Sequence, residues 1–174
     1  FYTKQSTFQA ILNDIKSMNA DVYLLQEIDM NSPDKQKFES SLKSLGYTHQ
    51  HTASAPGATL GNMIASKHPL FGRGKLDLGA NRIMVDAQLS LKNDEKMTLF
   101  CAHWDNKDAL VREKQADITV DVIKKRGGAG MGKFVLGADF NATWPGKSIQ
   151  TLAKSGLMTN SFDALHWQSP NVTA

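Results

Sequence analysis

Three short apolar runs in this chain each lead into polar side chains that a hydrophobic core does not need. Val22-Tyr23-Leu24-Leu25 leads to Gln26-Glu27, Met97 to Ala102 leads to His103-Trp104-Asp105-Asn106, and Phe134-Val135-Leu136 leads to Gly137-Ala138-Asp139-Phe140-Asn141. In layered α/β proteins such strand ends are where loops hold reactive groups on a rigid scaffold. Two carboxylates, an amide and an imidazole suit cleavage of a phosphoester. Carboxylate oxygens are ligands for Mg²⁺ or Mn²⁺, which neutralise phosphate charge, while His and Asp handle protons or water. Each residue also has an ordinary reading. Glu27 could be a solvated glutamate, His103 a satisfied structural histidine, and Asp139 with Asn141 an Asx-turn after a strand.

The elements that would position these groups follow from the apolar periodicity. Ser6-Thr7 can cap a helix whose Phe8, Ile11, Leu12, Ile15 and Met18 recur at helical spacing. Val22 to Leu25 reads as a strand buried on both faces. A second helix is expected between Ser32-Pro33 and Gly46, with Phe38, Leu42 and Leu45 inward. Short strands are expected at Tyr47–Thr52, Gly61–Ser66, Phe71–Leu76, Ile83–Leu91 and Met97–Ala102, the last two joined by a hairpin at Asn93-Asp94. A long helix over Lys107–Lys125, with Val111, Ile118 and Val122 on its stripe, stops at Gly127-Gly128-Ala129-Gly130. Phe134 to Leu136 is another buried strand, and Ile149 to Ala153 a short helix. That order implies mixed α/β layers with the strands in two sheets.

Composition restricts the function classes only loosely. The 174 residues are 41% hydrophobic and 21% charged, which excludes disordered and fibrous classes. A net charge of +3 tolerates a polyanionic substrate but is no dedicated nucleic-acid tail. The single cysteine, Cys101, excludes an intramolecular disulfide and reads as a small core residue. No apolar run approaches the roughly 20 residues of a membrane span. The chain begins at Phe1, and its localisation is not readable. No repeat or linker divides it, so residues 1–174 are expected to form one domain.

Taken in order, Leu25-Gln26-Glu27, Gly61-Asn62-Met63-Ile64-Ala65-Ser66, Ala102-His103 and Ala138-Asp139-Phe140-Asn141 resemble the endonuclease/exonuclease/phosphatase superfamily, the fold of deoxyribonuclease I. Arg112 and Gln115, and the stretch from Leu157 to Leu165, extend the resemblance along nearly the whole chain. It implies a four-layer α/β/β/α sandwich, two mixed β-sheets packed face to face with flanking helices. It also implies that Glu27 binds the metal and that Asp139 orients or deprotonates the attacking water. Asn141 would bind phosphate oxygens, and His103 would contact the scissile phosphate. Arg82, in Asn81-Arg82, resembles a phosphate-contacting arginine, with an exposed strand arginine as the alternative. Asn62 is expected to fix the local backbone rather than touch substrate, Asp105 to orient a loop or a neighbouring ligand, and Gln115 to clamp helix to strand as a buried amide. Trp104, Trp144 and Trp167 are expected in core or rim packing, or stacked on a base.

Two pieces of the family pattern are missing. The opening strand with its asparagine is absent, and so is a closing Ser-Asp-His, for which Asp163 and His166 have the wrong spacing. The family usually has Gly where Ala138 stands, which matters if that backbone needs positive φ. The fold is therefore expected to be incomplete at both ends, with a further chain segment or a partner completing the sheets. Three functional readings follow. One is a metal-dependent phosphodiesterase, with nucleic acid as the favoured substrate. Another is an impaired domain of the same fold that serves as a binding or structural module. The third is an α/β domain with coincidental motifs, in which Glu27, His103, Asp139 and Asn141 lie apart in space.

Overall fold

In the computed structural model, residues 5–91, 95–127 and 133–161 are described. Seven strands and four helices follow in the order α1 (Gln5–Met18), β1 (Val22–Asp29), α2 (Lys35–Ser44), β2 (His49–Ser54), β3 (Leu60–Ser66), β4 (Leu70–Gly79), β5 (Arg82–Ser90), β6 (Lys96–His103), α3 (Ala109–Gly127), β7 (Lys133–Asp139) and α4 (Lys147–Lys154). The Asn93-Asp94 turn, Gly128 to Gly130, Asp163, His166 and Trp167 lie outside the described residues.

The strands form two sheets. One is antiparallel with order β1-β3-β2, and the other has order β4-β5-β6-β7, in which only β6 and β7 run parallel. Only the second is therefore mixed among the described residues. Alternation along each strand divides the apolar side chains between two faces. In β1, Tyr23 and Leu25 face the cluster formed with Phe8, Leu12 and Ile15 of α1 and Phe38 and Leu42 of α2. Val22 and Leu24 face the cluster between the sheets, with Ile64, Val85, Leu99 and Cys101. On the far side Met84, Phe100 and Ala102 meet Ala116, Val120 and Ile123 of α3 and Leu152 of α4. The layers run α/β/β/α.

Three expectations change in detail. Both faces of β1 touch apolar clusters, yet Val22 to Leu25 are only half-buried, because β1 is an edge of its sheet among the described residues. Met18 keeps the apolar spacing of α1 but, as the last residue of the helix, is 65% exposed. The third difference bears on the site: β1 does not end at Glu27 but continues to Asp29 through an irregularity between Leu25 and Ile28.

Candidate active site

Glu27 sits at that irregularity with φ 58°, a left-handed conformation costly for a residue with a Cβ. A bulge adds an unpaired residue and re-aims a side chain. Here Leu25 still pairs with Met63, Ile28 pairs with Gly61, and Gln26 and Glu27 fall between. Gln26 turns toward the other sheet, its Nε2 donating to Gly137 O at 3.4 Å and lying 3.3 Å from Cys101 Sγ. Gly137 allows this approach: a Cβ there would lie 2.6 Å from Leu24 Cδ1 and 3.2 Å from Leu24 Cβ. The two sheets thus meet just below the ends that carry Glu27 and Asp139. Cys101 is fully buried, and burial pushes its thiol up to about 12, as suits an inert core residue.

His103 and Asp139 are register partners at the ends of the parallel pair β6 and β7. His103 Nε2 lies 3.7 Å from Asp139 Oδ2 and 3.9 Å from Glu27 Oε1. These separations exceed a direct hydrogen bond and leave room for a shared atom between the groups. The imidazole is buried, 6% exposed in its side chain, whereas the two carboxylates are 45% and 50% exposed. Burial, followed by the neighbouring Arg82 guanidinium, holds the His103 pKa below its usual value against the opposing pull of Asp139 and Glu27.

Arg82 opens β5 after a tight turn in which Ala80 and Asn81 have φ 52° and 58°, the positive values of a type I′ hairpin. Its Nη1 lies 3.1 Å from His103 Nδ1 and 3.3 Å from Nε2, and its Nη2 donates to Asn106 Oδ1 at 3.1 Å. A guanidinium only donates, so the ring nitrogen it meets must be unprotonated. A proton on Nε2, the nitrogen facing both carboxylates, leaves Nδ1 to accept from Arg82. Arg82 is therefore engaged with the site rather than an isolated strand arginine. Asn106 is the partner that sequence reasoning missed, since an asparagine three residues past a strand has no distinguishing spacing.

Asn141 has φ 47°, a region asparagine tolerates, and its N–H donates to Asp139 Oδ1 at 2.9 Å. That bond turns Oδ2 of Asp139 toward His103. The Asn141 amide donates to Trp104 O at 3.0 Å and so joins the ends of β6 and β7. Ala138 lies in β7 and is not among the residues with positive φ, so its methyl group is accommodated.

Of the residues expected to act as supports, Asp105 and Gln115 do so, while Asn62 holds backbone of the other sheet rather than its own local backbone. Asn62, buried in β3, donates from Nδ2 to Ile83 O at 2.7 Å in the opposite sheet. Gln115, fully buried on α3, accepts from Asp105 N at 2.8 Å and donates to Gly79 O at 3.2 Å. It thereby ties the loop after β6 and the β4–β5 hairpin to one helix. The Asp105 carboxylate accepts the N–H groups of Lys107 and Asp108 at 2.8 and 2.7 Å, and the Asp108 bond above all holds its pKa below the ordinary carboxylate value. Arg112 donates to Asp105 O at 3.1 Å. Trp104 is fully buried with its ring edge-on to Phe140 at 4.6 Å, while Trp144 is 65% exposed.

Whether these groups suit a divalent cation depends on the donor set. Glu27 and Asp139 offer hard, half-exposed oxygens at one end of the sheets. Among the described residues, no group of three or more His, Cys, Asp or Glu could enclose a metal. Such a set does not make a protein cage. It does fit Mg²⁺, which holds several waters and takes one or two carboxylates with substrate phosphate.

Comparison with known proteins agrees with the fold. The model of the Endonuclease/Exonuclease/phosphatase family matches residues 4–174. The catalytic domain of human nocturnin, solved with a bound sulfate, superposes with a TM-score of 0.79 at 17% identity, over 88% of this chain and 63% of that one. A mannosyl-6-phosphatase of Bacteroides thetaiotaomicron gives 0.74 at 14% identity, over 91% and 65%. ANGEL2, a 2′,3′-cyclic phosphatase, gives 0.73 at 21%, over 88% and 48%. The chain thus spans less than two thirds of the length of these structures. No curated protein sequence matches it.

Proposed function

The chain belongs to the Endonuclease/Exonuclease/phosphatase family, and on that premise we propose that it hydrolyses phosphate esters with a divalent cation, Mg²⁺ or Mn²⁺. Phosphodiesters of nucleic acid are the leading substrate class. The observation that carries the reading is the buried His103 ring, with Glu27 and Asp139 within 3.9 Å of its Nε2 and Arg82 Nη1 within 3.3 Å of both ring nitrogens. A reacting phosphate beside these groups would meet donors from both His103 and Arg82. The names of two structurally similar proteins, a mannosyl-6-phosphatase and a 2′,3′-cyclic phosphatase, support ester hydrolysis. The Asn81-Arg82 match and the net charge of +3 support a nucleic-acid substrate.

In this mechanism Glu27 holds the cation, which supplies neutralisation of phosphate charge and polarisation of a P–O bond. His103, neutral because burial and Arg82 disfavour its charged form, donates its Nε2–H to a non-bridging oxygen as charge develops there. Arg82, beside the ring, donates to the same phosphoryl group. Asp139, with Oδ1 occupied by the Asn141 N–H, presents Oδ2 to the attacking water and orients or deprotonates it. The Asn141 amide carries two N–H groups, of which Trp104 O takes one, and the second serves a phosphate oxygen.

The test is hydrolysis of bis(p-nitrophenyl) phosphate and of plasmid DNA with and without Mg²⁺. Glu27→Gln and Asp139→Asn should each lower the rate by about 10²- to 10⁴-fold with circular dichroism unchanged. Equal rates in excess chelator, or full activity in both variants, would end this reading.

A further inference from the structure

Beside Asp139 and Asn141, on the side away from Glu27's sheet, lies a cleft of about 680 Å³ between α3 and the segment leading into α4. Its wall carries Arg112, Glu113, Lys147 and Ser148, and it opens directly onto Asp139 and Asn141. Gly146 precedes α4 and provides no side-chain cap, so the first N–H groups of that helix have no side-chain acceptor. Ser148, on the first turn, is 4% exposed, and its hydroxyl forms no hydrogen bond among the described residues. The hydroxyl oxygen is not one of the buried side-chain atoms that lack a partner, so it is open to solvent where Ser148 lines the cleft.

Charge decides what kind of group the cleft suits. Arg112 and Lys147 stand against Glu113 and Asp139, two cations to two carboxylates. Lys147 Nζ is 3.9 Å from Glu113 Oε1, a loose pair with the lysine 82% exposed. Arg112 already gives one N–H to Asp105 O. A second phosphate would face carboxylates as often as cations, whereas a polyhydroxylated group can donate to Glu113 and accept from Arg112, Ser148 and the helix N–H groups.

We propose that this cleft is the subsite for the sugar attached to the scissile phosphate, with the Ser148 hydroxyl and the Glu113 carboxylate as its hydroxyl-reading groups. The assignment rests on the phosphoesterase reading, since only a phosphate held at His103 places its sugar beside Asn141. The shared chemistry is a sugar phosphate, and a nucleoside or a hexose could supply it.

Calorimetric titration with inorganic phosphate, adenosine 5′-monophosphate and glucose 6-phosphate, each with Mg²⁺, separates these cases. At least one sugar phosphate should bind more tightly than phosphate alone. Ser148→Ala and Glu113→Gln should each weaken it by about three- to tenfold while leaving phosphate unchanged. A gain confined to the adenosine ligand identifies a nucleoside site, and one confined to the glucose ligand a hexose site. Equal binding of all three ligands, no binding, or variants that weaken phosphate in parallel would overturn the subsite. Sugar-phosphate binding as expected in a protein that cleaves no ester would overturn the phosphoesterase reading and leave the subsite standing.

Discussion

Arg82 and His103 define the chemistry at the scale of single residues. A histidine with a depressed pKa is neutral at neutral pH, and here burial is the larger cause and the guanidinium the second. Relative to an unfolded imidazole titrating near 6.5, the folded one takes its proton at lower pH. The unfolded state therefore binds more protons in between, and His103's share of stability, complete above about pH 6.5, is lost as pH falls toward the folded value. Arg82→Met removes one of the two causes and should raise the His103 pKa without restoring it fully, because burial remains. Nuclear magnetic resonance titration of the ring should show that rise, and the acidic limb of kcat/KM should move the same way. The rate itself should drop by roughly ten- to a hundredfold, the worth of a hydrogen bond to a charged group. An unchanged His103 titration would mean that the guanidinium does not sense the ring.

At the scale of elements, α3 is the common support of two site-bearing loops. Gln115 reaches the loop after β6 with its oxygen and the β4–β5 hairpin with its nitrogen. Gln115→Leu would leave the part-buried Asp105 N and Gly79 O without their partner, at a cost of about 1–3 kcal/mol in all, since water can reach both in part. Urea unfolding should register that loss. The hairpin carries Arg82, so the acidic limb should shift as in Arg82→Met, an effect that destabilisation elsewhere on α3 would not produce. Ala116→Gly, one residue along, supplies that control. The elements themselves were largely legible, since apolar spacing located every helix and strand within a few residues and the supporting role of Gln115 followed from an amide on an apolar stripe. What spacing could not show was the bulge at Glu27. Periodicity reports which side chains alternate, and a residue with φ 58° leaves no mark on a pattern of apolar letters. The Asp86–Arg126 ion pair was equally hidden, because a charged residue within the β5 pattern gives no indication of a partner forty residues later.

At the scale of the whole molecule, the site exists only because two sheets meet at a set distance. Glu27 belongs to one sheet, and His103, Asp139 and Arg82 to the other. The approach is set where Leu24 rests on Gly137, two residues before Asp139 and three before Glu27. Gly137→Ala puts a methyl group 2.6 Å from Leu24 Cδ1 and 3.2 Å from its Cβ. The terminal methyl can rotate away, but the Cβ moves only with the backbone of β1. Overpacking of this kind costs about 1–3 kcal/mol. Its functional consequence should be larger than its stability cost, because a displacement near 1 Å at a reacting centre can cost about a hundredfold. The substitution touches no group that meets substrate, so the rate loss must arise from separation of Glu27 from the His103–Asp139 pair. Leu24→Gly in the same chain removes the obstructing Cβ together with the branched part and should recover most of the rate, although alone it opens a cavity and destabilises by at least about 2–5 kcal/mol. Recovery of rate in a double variant no more stable than either single one would separate spacing from stability. If Gly137→Ala cleaves ester at the parental rate, the gap between the sheets is not what holds Glu27 in register with Asp139.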